Sequence, residues 1–182
     1  MACYAVDVSD NKAVVKAVKK IMSQQKHVDL LFNNAGVASI GTSEIEPEHF
    51  EQMVKINLLG MYYWVHAIAP YMKKQKEGLI VNLGSRSGIY AREMVGGYAA
   101  TKFGVVGFSE ALYRELATFG VKVTTINPGF VATDMTSQSS FDQQKMIPPE
   151  DIAKVVESLL QLSALTVVKS ITLTPIDDVL YV

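Results

Sequence analysis

The sequence predicts a single α/β domain built on a doubly wound parallel sheet, with helices on both faces. Three observations point there. Short apolar, β-branched runs alternate with stretches that are apolar every third or fourth residue, in the order β-α-β-α-β-α-β-α-β. The clearest unit runs from Leu79 to Phe108: an apolar run, a Ser/Gly/Arg loop and then an apolar helical stretch. The 182 residues are 49% hydrophobic and only 19% charged, enough to bury one core and far from a disordered composition.

Residues 1–8, with Cys3-Tyr4-Ala5-Val6 at their centre, read as a short first strand. Ser9 or Asp10 can cap a helix to about residue 25, because Val14, Val15, Val18 and Ile21 recur at helical spacing. Val28-Asp29-Leu30-Leu31-Phe32 reads as the second strand and ends in Asn33-Asn34-Ala35-Gly36. After a Gly/Ser/Thr loop, Pro47 suits a first helical turn, and a long helix follows to about residue 74, bent near Pro70. Leu79-Ile80-Val81 is a buried strand, and a helix begins at Gly97-Tyr98. Residues 121–126 form the next strand, 127–147 a polar loop, 149–162 a helix and 170–174 a final strand. No internal repeat or linker interrupts this order, so one domain spans residues 1–182.

The chemistry centres on Tyr98 and Lys102. Four residues apart on a helix, they share a face, about 5–6 Å apart at Cβ. An ammonium beside a phenol favours the phenolate, so the Tyr98 pKa is expected below its ordinary value of about 10. That suits Tyr98 to give or take a proton near neutral pH. Ser85 stands thirteen residues earlier at a strand end, where such folds gather their functional groups. Alone, Tyr-x-x-x-Lys occurs by chance on many helices. With Ser85 before it, Asn33-Asn34-Ala35-Gly36 upstream and Asn127-Pro128-Gly129 downstream, the set resembles the classical short-chain dehydrogenase/reductase family, with its Rossmann-like sheet.

The resemblance implies an NAD- or NADP-dependent oxidoreductase, which moves hydride between nicotinamide and a carbonyl or secondary alcohol. It implies that Tyr98 is the acid/base, that Lys102 holds the nicotinamide ribose, and that Ser85 donates a hydrogen bond to the substrate oxygen. Asn57 matches a fourth catalytic position, which holds a water that relays protons to Lys102. Asp7 and Val8 match an adenine-contacting pair, although an Asp in that place is often only a cap. Asn34-Ala35-Gly36 serves as a turn, as a close approach to the cofactor ribose, or as both. Pro128, Gly129, Val131 and Thr133 match the segment beside the nicotinamide. The short loop 127–147 implies a modest lid. The ending Ile171-Thr172-Leu173-Thr174-Pro175 resembles the 3-hydroxy-acid branch, with a 3-oxoacyl thioester reductase as the alternative.

No G-x-G-x-x-G turn is present to receive a pyrophosphate. The chain therefore resembles the family without its first βαβ unit, and with that unit goes the residue that tells NAD from NADP. Residues 1–8 would then either dock beside the strand at 28–32 or stay unpaired. Cofactor binding by these 182 residues is expected to be weak, at best millimolar. A second function follows: association through the apolar helices 50–72 and 98–119, which carry Tyr62, Trp64, Phe103 and Phe108. The family pairs these two helices into homodimers or homotetramers.

Other chemistries fit poorly. His27, His49 and His66 share no ligand spacing with Cys or carboxylates, so no metal is expected. Gly84-Ser85-Arg86-Ser87-Gly88 is not a nucleophile elbow, because Arg86 holds its central place. A net charge of −1 argues against nucleic-acid or membrane-surface partners. The lone Cys3 fits a reducing compartment, and residues 58–72 fall short of the roughly 20 apolar residues of a spanning helix. The expectation is a soluble cytoplasmic enzyme with a small-molecule substrate.

Overall fold

A computed structural model describes residues 2–137 and 139–181, the last three by backbone alone. Four strands form one parallel sheet in the order β1-β2-β3-β4: Leu30–Asn33, Gly78–Leu83, Val121–Pro128 and Ser170–Leu173. Register places Leu31 against Ile80, and Ile80 against Val123. Alternation along each strand then divides the apolar residues between the two faces.

Leu31, Ile80, Val121 and Val123 meet α1 (Asn11–Gln24), α3 (Met61–Gln75) and α4 (Gly96–Ala117) in one core. Leu79, Val81 and Ile126 meet Ile152, Val156 and Leu159 of α5 (Pro149–Leu160) in the other. Helices on both faces of a parallel sheet make the doubly wound architecture that the alternation predicts. No helix among the described residues is long and apolar enough to cross a membrane.

Two expectations are corrected. Residues 2–6 are not a strand, and Met1 lies outside the described residues. Among the described residues no strand stands next to them to complete a ladder, and β1 pairs there with β2 alone. The segment is held by side chains instead: Val6 packs on the first core, and Tyr4 donates from its hydroxyl to Gln24 of α1. Of the two outcomes open for this segment, it takes the unpaired one. Asp10, not Ser9, caps α1 by accepting from the amides of Lys12 and Ala13 at 2.8 and 3.2 Å.

The second correction concerns the helix that begins at Pro47. α2 (Pro47–Met53) passes into a π-helical stretch, Val54–Gly60, before α3. The change in geometry falls around Asn57, with Pro70 lying inside α3. π-helical turns concentrate at functional sites, because widening the turn re-aims a side chain. Here it turns Asn57 inward.

Candidate active site

The carboxyl ends of β1, β2 and β3 converge on one place, where Asn57, Ser85, Tyr98 and Lys102 stand together. Asn57 is buried, with 2% of its surface exposed. Its Oδ1 accepts from the Val37 amide at 2.8 Å, and its Nδ2 donates to the Val37 carbonyl at 2.9 Å and to Thr101 Oγ1 at 3.1 Å. Asn57 thus pins the Asn33-to-Gly36 turn to α4. Thr101 was not singled out from the sequence. Its hydroxyl donates to the Tyr98 carbonyl at 2.8 Å, which ties Asn57 to the tyrosine-bearing turn.

Ser85 ends the loop after β2 and caps a short 3-10 turn, Arg86–Gly88, by accepting from the Ser87 amide at 3.1 Å. Its hydroxyl is also hydrogen-bonded to the Tyr98 phenol. Tyr98 sits in the first turn of α4, and the loop before that helix is fixed from outside. Gly41 donates to the Met94 carbonyl at 2.7 Å, and the Gly96 amide donates to Thr42 Oγ1 at 3.0 Å. Thr42 therefore does for α4 what its own N-cap, Val95, cannot do. No local pattern reveals this, since 54 residues separate the partners.

Lys102 is 4% exposed, and its ammonium donates to the Leu83 carbonyl at 2.8 Å. Its Nζ lies 5.6 Å from the centre of the Tyr98 ring. Burial disfavours the charge and lowers the Lys102 pKa from 10.5 to about 8. The expected depression of Tyr98 is corrected: burial raises the phenol above its ordinary value, and the Ser85 hydrogen bond opposes this only in part. The physical reason is placement. The ammonium bonds the end of β2 rather than the phenol oxygen, so desolvation outweighs it.

Asn34, Ala35 and Gly36 border the same centre. A Cβ on Gly36 would stand 3.4 Å from Asn57 Oδ1 and 3.8 Å from Lys102 Nζ, ordinary contact distances that place the turn beside both groups. A cavity of about 300 Å³ opens beside this turn, lined by Val8, Phe32, Asn34, Ala35, Ile56 and Trp64 among others. Asp7 lies further out and exposed. Its Oδ1 accepts from the Ser9 amide at 2.8 Å and the Ser9 hydroxyl at 2.7 Å, which holds its pKa below the ordinary carboxylate value.

Beyond β3, the Gly129 amide donates to the Leu173 carbonyl at 2.8 Å, which keeps Pro128-Gly129 against β4. The loop after it closes on itself where Val131 bridges Ile147. Val131 is half-buried and its carbonyl accepts from Thr136 at 2.6 Å, whereas Thr133 is exposed at the head of a 3-10 turn. Phe130 and Phe141 stack within this loop, with ring centres 5.1 Å apart. Among the described residues, no cluster of three or more His, Cys, Asp or Glu could hold a metal.

The family model described as short chain dehydrogenase matches residues 1–144. An uncharacterized oxidoreductase of Staphylococcus saprophyticus is 33% identical over 172 residues, covering 94% of this chain and 74% of that protein. A 3-oxoacyl-acyl-carrier-protein reductase of Thermotoga maritima is 30% identical over 164 residues, covering 84% of this chain and 67% of its own. The structure superposes with a TM-score of 0.87 on an alcohol dehydrogenase of the archaeon Thermococcus sibiricus complexed with 5-hydroxy-NADP. That match is 26% identical and covers 95% of this chain and 74% of that one.

Proposed function

The chain belongs to the short-chain dehydrogenase family, and on that premise we propose that it is a nicotinamide-dependent oxidoreductase acting on a carbonyl or secondary alcohol. The observation that carries the proposal is the Ser85–Tyr98–Lys102 set. A phenol, a hydroxyl and a buried ammonium meet at one strand end, tied to the Asn33-to-Gly36 turn through Asn57. Short-chain 3-hydroxy acids or 3-oxoacyl thioesters are the proposed substrates, the second supported by the Thermotoga relative. The proposed setting is the cytoplasm, consistent with one free, exposed cysteine.

The nicotinamide end of a cofactor fits the residues present. The Gly36 turn lies beside Lys102, where a ribose would sit, and the apolar cavity between Val8 and Ala35 suits a flat purine; Asp7 lines a separate, polar cavity that shares Ile56 with it. Pro128, Gly129, Val131 and Thr133 would flank the nicotinamide. The pyrophosphate has no Gly-rich turn to receive it within these 182 residues. When bound, the cofactor supplies or accepts the hydride, as NAD or NADP.

The protein's own groups then divide the remaining work. The raised pKa of Tyr98 keeps its proton on Oη at neutral pH, ready for the carbonyl oxygen as charge develops there. Ser85 donates to the same oxygen and fixes its place. Below pH 8 Lys102 is charged, and it stabilises the phenolate that Tyr98 leaves behind. The test is oxidation of NADPH or NADH by a panel of 3-oxo acids and esters, followed by absorbance. Tyr98→Phe should lose about 100-fold or more of the rate with its circular dichroism unchanged. A variant that keeps a tenth of the wild-type rate overturns the assignment.

Association is proposed alongside catalysis. Leu59, Tyr62 and Phe103 are each more than a third exposed, on the π-helical stretch, α3 and α4. Tyr62 stacks on His66 and meets Phe108 edge-on at 5.9 Å, so the aromatic groups form one patch across two helices. Trp64 packs against the core instead, while Phe108 is half-buried between the core and Tyr62. A second copy of the chain is the proposed partner for this patch.

A further inference from the structure

Two charged residues that this chemistry does not use stand next to it. Arg86 follows Ser85 directly, and Asp178 lies in the C-terminal 3-10 turn Ile176–Tyr181. Both are buried, at 7% and 1% exposed, and Arg86 Nη2 meets Asp178 Oδ2 as an ion pair without hydrogen-bond alignment. Arg92 Nη2 stands 3.8 Å from the other carboxylate oxygen, and both guanidinium groups lie within 6 Å of the Tyr90 ring centre.

The pair sits between two parts of the site. On one side the Arg86–Gly88 turn is pressed against α4: a Cβ on Gly88 would stand 2.6 Å from the Lys102 carbonyl oxygen. On the other, a Cβ on Gly129 would stand 3.5 Å from Asp178 Oδ2 and 3.0 Å from Pro175. The same C-terminal turn reaches the lid loop, where Lys145 and Asp177 pair at 2.7 Å. The tail thus joins the ends of β2 and β3 and the loop between Phe130 and Ile147. A buried ion pair is a costly way to hold two segments unless its geometry is needed.

We propose that Asp178, acting through Arg86, is a positioning residue that fixes the turn carrying Ser85. The backbone shows the route. The Gly88, Ile89 and Tyr90 amides donate to the Ser85 and Arg86 carbonyls at 2.8, 3.0 and 3.1 Å, so displacing Arg86 displaces the turn whose cap is Ser85. The proposal rests on Ser85 acting on the substrate oxygen, and its test separates the two ideas.

Asp178→Asn keeps the shape and removes the charge, and Asp178→Glu restores it. In the 182-residue chain, Asn should lower kcat about 10- to 100-fold, as a misplaced group does. KM for the nicotinamide cofactor should stay within about twofold, and Glu should recover part of the rate. Placed in a Ser85→Ala background, Asp178→Asn should add little further loss, because both changes remove the same interaction. Amide exchange over residues 86–92 should run about tenfold faster in the Asn variant, as local opening predicts. Equal losses in the two backgrounds, or unchanged exchange, overturn the proposal. If the wild-type chain shows no Tyr98-dependent turnover, the oxidoreductase reading fails, and exchange alone decides whether Asp178 orders the turn.

Discussion

Replacing Lys102 by Met tests the electrostatics of the site without any substrate. Met is unbranched, close in length and neutral, so it removes the buried charge and keeps most of the packing. Lys102 titrates near 8 in the folded chain against 10.5 ordinarily, and 1.36 kcal/mol per unit makes this about 3 kcal/mol of destabilisation. Its sign follows from proton linkage. Between pH 8 and 10.5 the unfolded chain binds more protons at this site than the folded one, so stability rises with pH. Below pH 8 the whole destabilisation is present, and above 10.5 it is gone. Lys102→Met also orphans the Leu83 carbonyl, roughly 1–3 kcal/mol, but that loss does not depend on pH. The stability of wild type minus that of Lys102→Met should therefore climb by about 3 kcal/mol from pH 8 to 10.5. Tyr98 titrates in the opposite sense, its raised pKa removing stability at the alkaline end, but both chains carry it and the difference cancels it. Urea unfolding followed by the fluorescence of Trp64, the one tryptophan, measures both curves. A flat difference across that range refutes the desolvation of Lys102 and, with it, the account of its charge.

Three further outcomes are expected. Calorimetric titration of the 182-residue chain should give millimolar binding at best for NADP(H) and NAD(H). Losing two charge-assisted hydrogen bonds of roughly 1.5–3 kcal/mol each weakens binding by about two to four powers of ten, and micromolar affinity would refute this. Light scattering at micromolar concentration should report a homodimer or tetramer, and Tyr62→Glu with Phe103→Glu should yield a folded monomer; a monomeric wild type removes the helix patch as an interface. The reductive rate should fall as pH rises through about 8, where Lys102 loses its charge; a rate that climbs through that point contradicts the role given to its ammonium.

What the sequence determined by itself was whatever local periodicity and short spacing encode. The alternation of β-branched runs with helical spacing gives all four observed strands to within about two residues and the split of helices between two faces. The interval from Tyr98 to Lys102 lies on one helix, so their shared face follows from 3.6 residues per turn. Strand-end residues such as Ser85 and Asn34 follow because the carboxyl ends of parallel strands converge. Tertiary structure decided the rest. Residues 2–6 have strand-like composition, yet a strand exists only through its neighbour, and composition cannot supply one. The phenol's pKa turned on where a flexible ammonium points and how much water the fold removes, neither of which spacing reports. Thr42 with Gly96 and Arg86 with Asp178 join residues 54 and 92 positions apart. Such partnerships depend on how the whole chain closes, because a charge or an orphaned amide finds its match in space rather than along the sequence.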